Sequence, residues 1–278
     1  MYTFTGMIID GKQIAQELQN ELRIIIAQKA VSLSLRVFIL QKDPATEQFI
    51  RIKKRVGESL GVTVELEELP EETTTKELIE RIQSASLINN GIIIQLPLPQ
   101  EINTDAVLAA LPWDKDVDVI GSDAQALVHS GKSHVLPPVV AAMKEIVDRN
   151  EYAISGKKVV IVGEGRLVGK PAALWCTSQG ATVTVLTEES GDLKEYTQAA
   201  DVIVLGAGHA GLLKPDMIKE GVVILDAGTS ETEGKVLGDV DPACAEKALL
   251  FTPVPGGIGP IAVTMIFKNL LTLNSYDN

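Results

Sequence analysis

The sequence predicts an α/β protein of two domains, the second a doubly wound, Rossmann-like nucleotide-binding fold. Three observations predict it. Helical and strand-like apolar patterns alternate along the chain. A glycine turn, Gly163-Glu164-Gly165-Arg166-Leu167-Val168-Gly169, follows a strand pattern and opens a helix pattern. At 278 residues the chain is also long for one core.

From residue 9 to about 110 the elements alternate as β-α-β-α-β. Gly11–Lys29 places Ile14, Leu18, Leu22 and Ile25 at helical spacing, and Leu35–Leu40 is an apolar, β-branched strand. Ala45–Leu60 is helical and stops at Gly61. Val62–Leu69 alternates apolar with acidic residues, as an exposed or edge strand does. Thr75–Ser86 is a helix with a threonine cap that carries Leu78, Ile79 and Ile82, and Gly91–Gln95 is a short strand apolar on both faces. Such a series requires right-handed crossovers and a parallel sheet. A second series starts after Pro137-Pro138: helix Val139–Asp148, strand Lys157–Val162, helix Val168–Gln179, then strands Ala181–Leu186, Asp201–Leu205 and Gly221–Leu225. The glycine–proline loop Thr252–Pro260 leads to a last apolar helix, Ile261–Leu273, expected to return to the first domain and join the halves around a cleft. The expected boundaries are 1–137, 138–258 and 259–278.

Composition narrows the function classes. The apolar share of 45% and charged share of 22% are ordinary for a soluble globular protein. A net charge of −12, from 25 basic and 37 acidic residues, argues against nucleic acid or an anionic membrane as main partner. Cys176 and Cys244 form no CxxC, and His129, His134 and His209 are widely spaced, so neither a disulfide scaffold nor a metal site is expected. No signal-peptide pattern and no apolar run of about 18 residues is present, which predicts a cytoplasmic protein.

The candidate chemical centre is Lys53, Gln95 and Asp118. Gln95 closes the strand Gly91-Ile92-Ile93-Ile94 and precedes Leu96-Pro97-Leu98-Pro99, a rigid exit that fixes where its amide points. In an open α/β sheet, ligands bind beyond the carboxyl ends of strands, where Gln95 sits. Asp118 closes Lys115-Asp116-Val117-Asp118, and Lys53 lies within Ala45–Leu60. Arg51, Lys54 and Arg55 beside it read equally well as a solvated helix face.

For the nucleotide, the predicted contacts are Gly163, Glu164, Gly165, Val168 and Gly169 in the turn, then Thr187 and Glu188 at the end of the next strand. Ala207 and Gly208, within Gly206-Ala207-Gly208, and Thr229, after Asp226-Ala227-Gly228, lie at two further strand ends. Glu188 stands where an acid accepts hydrogen bonds from a ribose 2′-hydroxyl, and a 2′-phosphate would face Glu188 and Glu164. A like-charge contact at about 5 Å costs roughly 1–3 kcal/mol per unit charge, which favours NAD over NADP without forbidding NADP.

Several motifs together carry a family resemblance. They are Asp43-Pro44-Ala45-Thr46 with Lys53, GIIIQLPLP over Gly91–Pro99, KDVD over Lys115–Asp118, and Val168-Gly169-Lys170-Pro171. Gly238-Asp239-Val240 and TPVPGGIGP over Thr252–Pro260 complete the set. In this order they resemble the bifunctional methylenetetrahydrofolate dehydrogenase/methenyltetrahydrofolate cyclohydrolase family (the FolD type) along nearly the whole chain. The resemblance implies a homodimer that oxidises 5,10-methylenetetrahydrofolate with NAD or NADP, NADP being the family default. It then hydrolyses the methenyl product to 10-formyltetrahydrofolate. It implies Lys53 for the hydrolytic step, Gln95 beside it, and Asp118 holding the pterin ring. Phe49, Pro255, Gly256 and Gly257 join these three in contacting the folate. Lys53 acts either as a base, which needs its pKa lowered by about 3 units from ~10.4, or as a charge polarising the reacting carbon.

The chain departs from the family pattern at five places. Phe49 replaces a tyrosine, and Gly163-Glu164-Gly165 replaces the Gly-Arg-Ser turn that usually meets NADP. Val119-Ile120 replaces a glycine–aromatic or glycine–leucine pair, Pro137 a threonine, and Ile261-Ala262 a Met-Thr. These changes mark a divergent member. They keep open a dehydrogenase without cyclohydrolase activity, and a non-catalytic folate- or nucleotide-binding paralogue.

Overall fold

The structure, a computed structural model, describes residues 6–29, 31–41, 44–232 and 235–275. Asp43 of the first family motif lies outside them. In chain order the first elements are β1 (Met7–Ile8), α1 (Gly11–Lys29), β2 (Ser34–Ile39), α2 (Pro44–Leu60), β3 (Thr63–Glu68), α3 (Thr75–Ser86) and β4 (Gly91–Ile94). Two short helices follow, α4 (Thr104–Ala109) and α5 (Ser122–His129), then α6 (Pro138–Arg149). The second series is β5 (Lys158–Val162), α7 (Gly169–Ser178), β6 (Thr182–Leu186), α8 (Leu193–Thr197), β7 (Val202–Leu205) and β8 (Val223–Asp226). It closes with the hairpin β9 (Ser230–Thr232) and β10 (Lys235–Leu237), then β11 (Leu250–Phe251) and α9 (Ile258–Leu273).

The chain divides into two compact units. One comprises Met1–Ala15 and Val139–Ala262, the other Gln16–Pro138 and Val263–Asn278. The second unit is built on a three-stranded parallel sheet in the order β3-β2-β4. Strand alternation explains its two layers. Leu35, Val37 and Ile39 of β2 enter one core with Leu22, Ile26, Phe267 and Leu270; Phe38 enters the opposite core with Leu78, Ile82 and Leu108. As its acidic alternation predicts, β3 is an edge: Glu65 and Glu67 pair with Arg36 at 2.5 and 3.0 Å, and Glu67 with Arg81 at 2.8 Å. Helix α3 opens with a capping box, in which Thr74 accepts from the Glu77 N–H and Glu77 accepts from the Thr74 N–H.

The other unit carries a six-stranded parallel sheet ordered β1-β11-β8-β7-β5-β6. Its strand order reverses between β5 and β7, so the connections leaving their carboxyl ends run in opposite directions, as at the crevice where doubly wound folds bind ligands. Two sequence expectations need correction. The N-terminal segment does not stay with residues 16–137: the Met7 N–H donates to Leu249 O and the Ile9 N–H to Phe251 O, both at 2.9 Å, which adds β1 to the six-stranded sheet. Helix α9 begins at Ile258 rather than Ile261, because a proline in the first turn, here Pro260, forfeits no intrahelical hydrogen bond.

Candidate active site

Gln95 is placed by the β4 ladder. Its backbone N–H donates to Phe38 O at 3.0 Å, which leaves the side chain at the carboxyl end of the sheet. One turn of α2 separates Phe49 from Lys53 on a shared face. The Lys53 ammonium donates to Gln95 Oε1 at 3.0 Å, and the Gln95 amide nitrogen donates to Leu96 O at 2.9 Å. The carboxamide is thereby held with its oxygen toward the amine. Half-buried Asp118 completes the cluster: burial pushes its carboxyl above the usual range, and the charge of Lys53 pulls the other way. The structure thus joins Lys53 to Gln95 by a hydrogen bond in the second unit and places Asp118 within reach of the Lys53 charge. Phe49, 37% exposed, brings a ring without a hydroxyl.

Two residues that the sequence did not single out hold Asp118 in place. Asp116 is fully buried, and its Oδ2 accepts from the Gly121 N–H at 2.7 Å. Its Oδ1 has no hydrogen-bond partner among the described residues, and burial, reinforced by the charge of Asp118, pushes the carboxyl up to about 7 against the backbone hydrogen bonds. Asn269 of α9 donates to Val117 O at 2.9 Å and to Leu136 O at 2.8 Å, which pins the loop from its far side. Between these anchors Val119 adopts a φ of +55°, a left-handed conformation costly for a β-branched residue. In the sequence Asn269 shows only as a polar residue in an apolar helix, and Asp116 only as one charge among several in Lys115–Asp118.

The nucleotide residues lie in the other unit. Gly163 has φ +96°, and a Cβ on it would sit 2.6 Å from Gly206 O; a Cβ on Gly169 would collide with Gly163 O. A Cβ on Gly206 would lie 2.7 Å from Val168 Cβ. The backbone of this turn is therefore packed as closely as glycine allows, at the start of the ten-residue helix α7. That cradle fits a dinucleotide, whose pyrophosphate takes free N–H groups at a helix N-terminus. Glu164 and Gly165 are exposed on the turn. At the end of β6 the Thr187 N–H donates to Ser190 Oγ at 2.8 Å, which holds the hairpin-like turn bearing exposed Glu188. Ala207 and Gly208 lie in the turn after β7, and a Cβ on Gly208 would lie 3.7 Å from Thr229 O, so these three gather at one rim.

Pro255, Gly256 and Gly257 also belong to this unit. The Gly257 N–H donates to Pro253 O at 2.7 Å, Gly256 has φ +110°, and its carbonyl accepts from the Gly11 N–H at 2.9 Å. Among the described residues, no group of three or more His, Cys, Asp or Glu side chains could hold a metal ion, and no helix is long and apolar enough to cross a membrane.

Comparison with known proteins addresses the same two halves. Residues 9–118 match the family model for the tetrahydrofolate dehydrogenase/cyclohydrolase catalytic domain, and residues 137–278 match the NAD(P)-binding domain of the same name. The bifunctional protein FolD 2 of Desulfitobacterium hafniense is 37% identical over 272 residues, covering 96% of both chains. The crystal structure of the bifunctional FolD enzyme, methylenetetrahydrofolate dehydrogenase/cyclohydrolase, from Campylobacter jejuni superposes with a TM-score of 0.92 at 32% identity, covering 96% of this chain and 98% of that one. The Trypanosoma brucei FolD enzyme, complexed with NADP and an inhibitor, gives 0.91 at 30% identity over 96% and 97%. With both halves matched in order and relatives this similar end to end, the chain belongs to the tetrahydrofolate dehydrogenase/cyclohydrolase family.

Proposed function

We propose that the chain oxidises 5,10-methylenetetrahydrofolate with NAD(P) and hydrolyses the methenyl product to 10-formyltetrahydrofolate. One observation carries the hydrolytic half: the Lys53 amine held on Gln95 Oε1 at 3.0 Å, its charge felt by the Asp118 carboxyl. Asp118 accepts N–H groups of the pterin and so fixes the ring; Phe49 stacks against it. Lys53 moves or polarises the proton that accompanies water addition, with Gln95 fixing the direction of its Nζ. The bound dinucleotide supplies the hydride acceptor, and the chain contributes alignment.

The dinucleotide is NAD in preference to NADP. Glu164 stands in the turn and Glu188 at the end of β6, and both would face a 2′-phosphate. That repulsion corresponds to on the order of 10–100-fold in affinity. The loss of a hydroxyl at Phe49 favours a second reading, a dehydrogenase without the hydrolase step. A single assay separates them. Purified protein with methylenetetrahydrofolate and NAD should raise the methenyl absorbance, which then decays if hydrolysis follows. Silence with both dinucleotides ends the dehydrogenase reading, a persistent methenyl signal favours the second, and NADP bound tenfold more tightly than NAD removes the cofactor preference. A cytoplasmic homodimer accompanies this reading.

A further inference from the structure

Asp226 and Asp239 have no part in the reading above, yet they are 1% and 0% exposed, and neither makes an ion pair among the described residues. Asp239 gathers three consecutive backbone donors. Its Oδ2 accepts from the Ala207 and Gly208 N–H groups at 2.7 and 3.0 Å, and its Oδ1 from the His209 N–H at 2.7 Å. Asp226, the last residue of β8, accepts from the Gly228 N–H at 2.9 Å and the Val240 N–H at 3.0 Å. Gly228 is backed so closely by the Asp239 carboxylate that a Cβ there would collide with it. Asp239 is thus a wedge between the turns that follow β7 and β8, and Asp226 clasps the chain next to it.

Sheet order says what faces this wedge. From the edge inward the strands run β6, β5, β7, β8. The ribose hydroxyls are read at Thr187 and Glu188 after β6, and the pyrophosphate at the Gly163 turn after β5. An extended dinucleotide laid along that line carries its nicotinamide half over the ends of β7 and β8. An oxidised nicotinamide is a cation and a reduced one is neutral. A buried, unpaired carboxylate behind the rim therefore acts on the difference between the two forms, and salt screens it weakly.

We infer that Asp239, backed by Asp226, is a positioning residue of the dinucleotide site, fixing the Ala207–His209 turn and biasing that rim toward the oxidised, cationic nicotinamide. The inference rests on the proposed dinucleotide site. The Asp226 carboxyl shows that the field reaches beyond its own bonds: burial chiefly, and the charge of Asp239 in addition, push it up to about 7 against its backbone hydrogen bonds. Linkage sets a matching consequence, since a field that loads the charged ring and releases the neutral one makes hydride acceptance on the protein harder by the same factor.

Calorimetry of oxidised and reduced dinucleotide, titrated into the whole chain at pH 8.5, tests this. For Asp239→Asn the ratio of the oxidised to the reduced dissociation constant is expected to rise on the order of tenfold, the effect of one charge at about 10 Å and an effective dielectric of roughly 20–40. Both constants weakening equally would mean a purely structural role, and an unmoved ratio would mean no role; either overturns the inference. If Asp239→Asn does not fold, Asp226→Asn leaves the three bonds of Asp239 in place and should move the ratio severalfold in the same direction, and a fixed ratio there overturns it too. Native protein that binds neither form removes the dinucleotide reading itself, and this inference with it.

Discussion

At the scale of single residues, the proposed chemistry turns on what Gln95 Oε1 receives. A methionine at position 53 matches lysine in length but offers no donor, so that oxygen would lose its 3.0 Å bond and Asp118 its neighbouring charge. Lys53→Met is therefore expected to lower the hydrolysis of methenyltetrahydrofolate by about 10²–10⁴-fold while leaving the fold intact, and stopped-flow decay of the methenyl absorbance measures it. An unchanged rate would reduce Lys53 to a half-buried helix residue. Gln95 was readable in the sequence because its backbone surroundings are local: an apolar strand before it and a proline-rich exit after it. Asp116 and Asn269 were not. What makes them matter, burial in one case and a reach to Val117 O and Leu136 O in the other, comes from residues distant in sequence.

At the scale of elements, the segment from Lys115 to Gly121 behaves as a stiff bracket. It is joined to β4 by the Ile92–Asp116 bridge, to α9 through Asn269, and to itself through Asp116. Asp116 has a price measurable in stability. Its carboxyl, ordinarily at 3.8, stands at about 7 in the folded chain. The folded state therefore binds this proton more tightly than the unfolded one, and stability falls as pH rises from about 4 to 7, by up to ~4 kcal/mol from this group. Asp116→Asn keeps an acceptor for the Gly121 N–H and discards the charge. It should stabilise the protein more at pH 8 than at pH 5, by about 2–3 kcal/mol, read from urea midpoints at the two values. A gain equal at both pH values, or a loss at pH 8, would show that the unpartnered oxygen is not where the strain lies. Strands as short as β1 and β11, two residues each, carry no period to read, whereas α1, α3 and β2 carry several repeats and were legible throughout.

At the scale of the whole molecule, both parallel sheets follow from alternating element patterns, because each βαβ unit admits only one hand of crossover. Strand order was not legible beyond this; it depends on which edges accept β1 and β11. The order leaves β6 at one edge of the six-stranded sheet, paired only with β5 among the described residues, with Val185 39% exposed. An uncovered edge strand is a template for a second copy. Sedimentation equilibrium is expected to give twice 29.8 kDa, and Val185→Lys to shift the mass toward one copy; a native monomer would dismiss the dimer.

Helices α1 and α9 each begin in one compact unit and end in the other, with the divisions at 15/16 and 262/263. Phe267, Leu270 and Leu271 of α9 fill the same core as Leu35 and Val37. A fragment cut after residue 118 would keep every proposed catalytic side chain and still expose an open hydrophobic seam. Biosynthesis must run through α9 before the early half can close, so a truncation ahead of α9 disables the front of the protein as surely as the back.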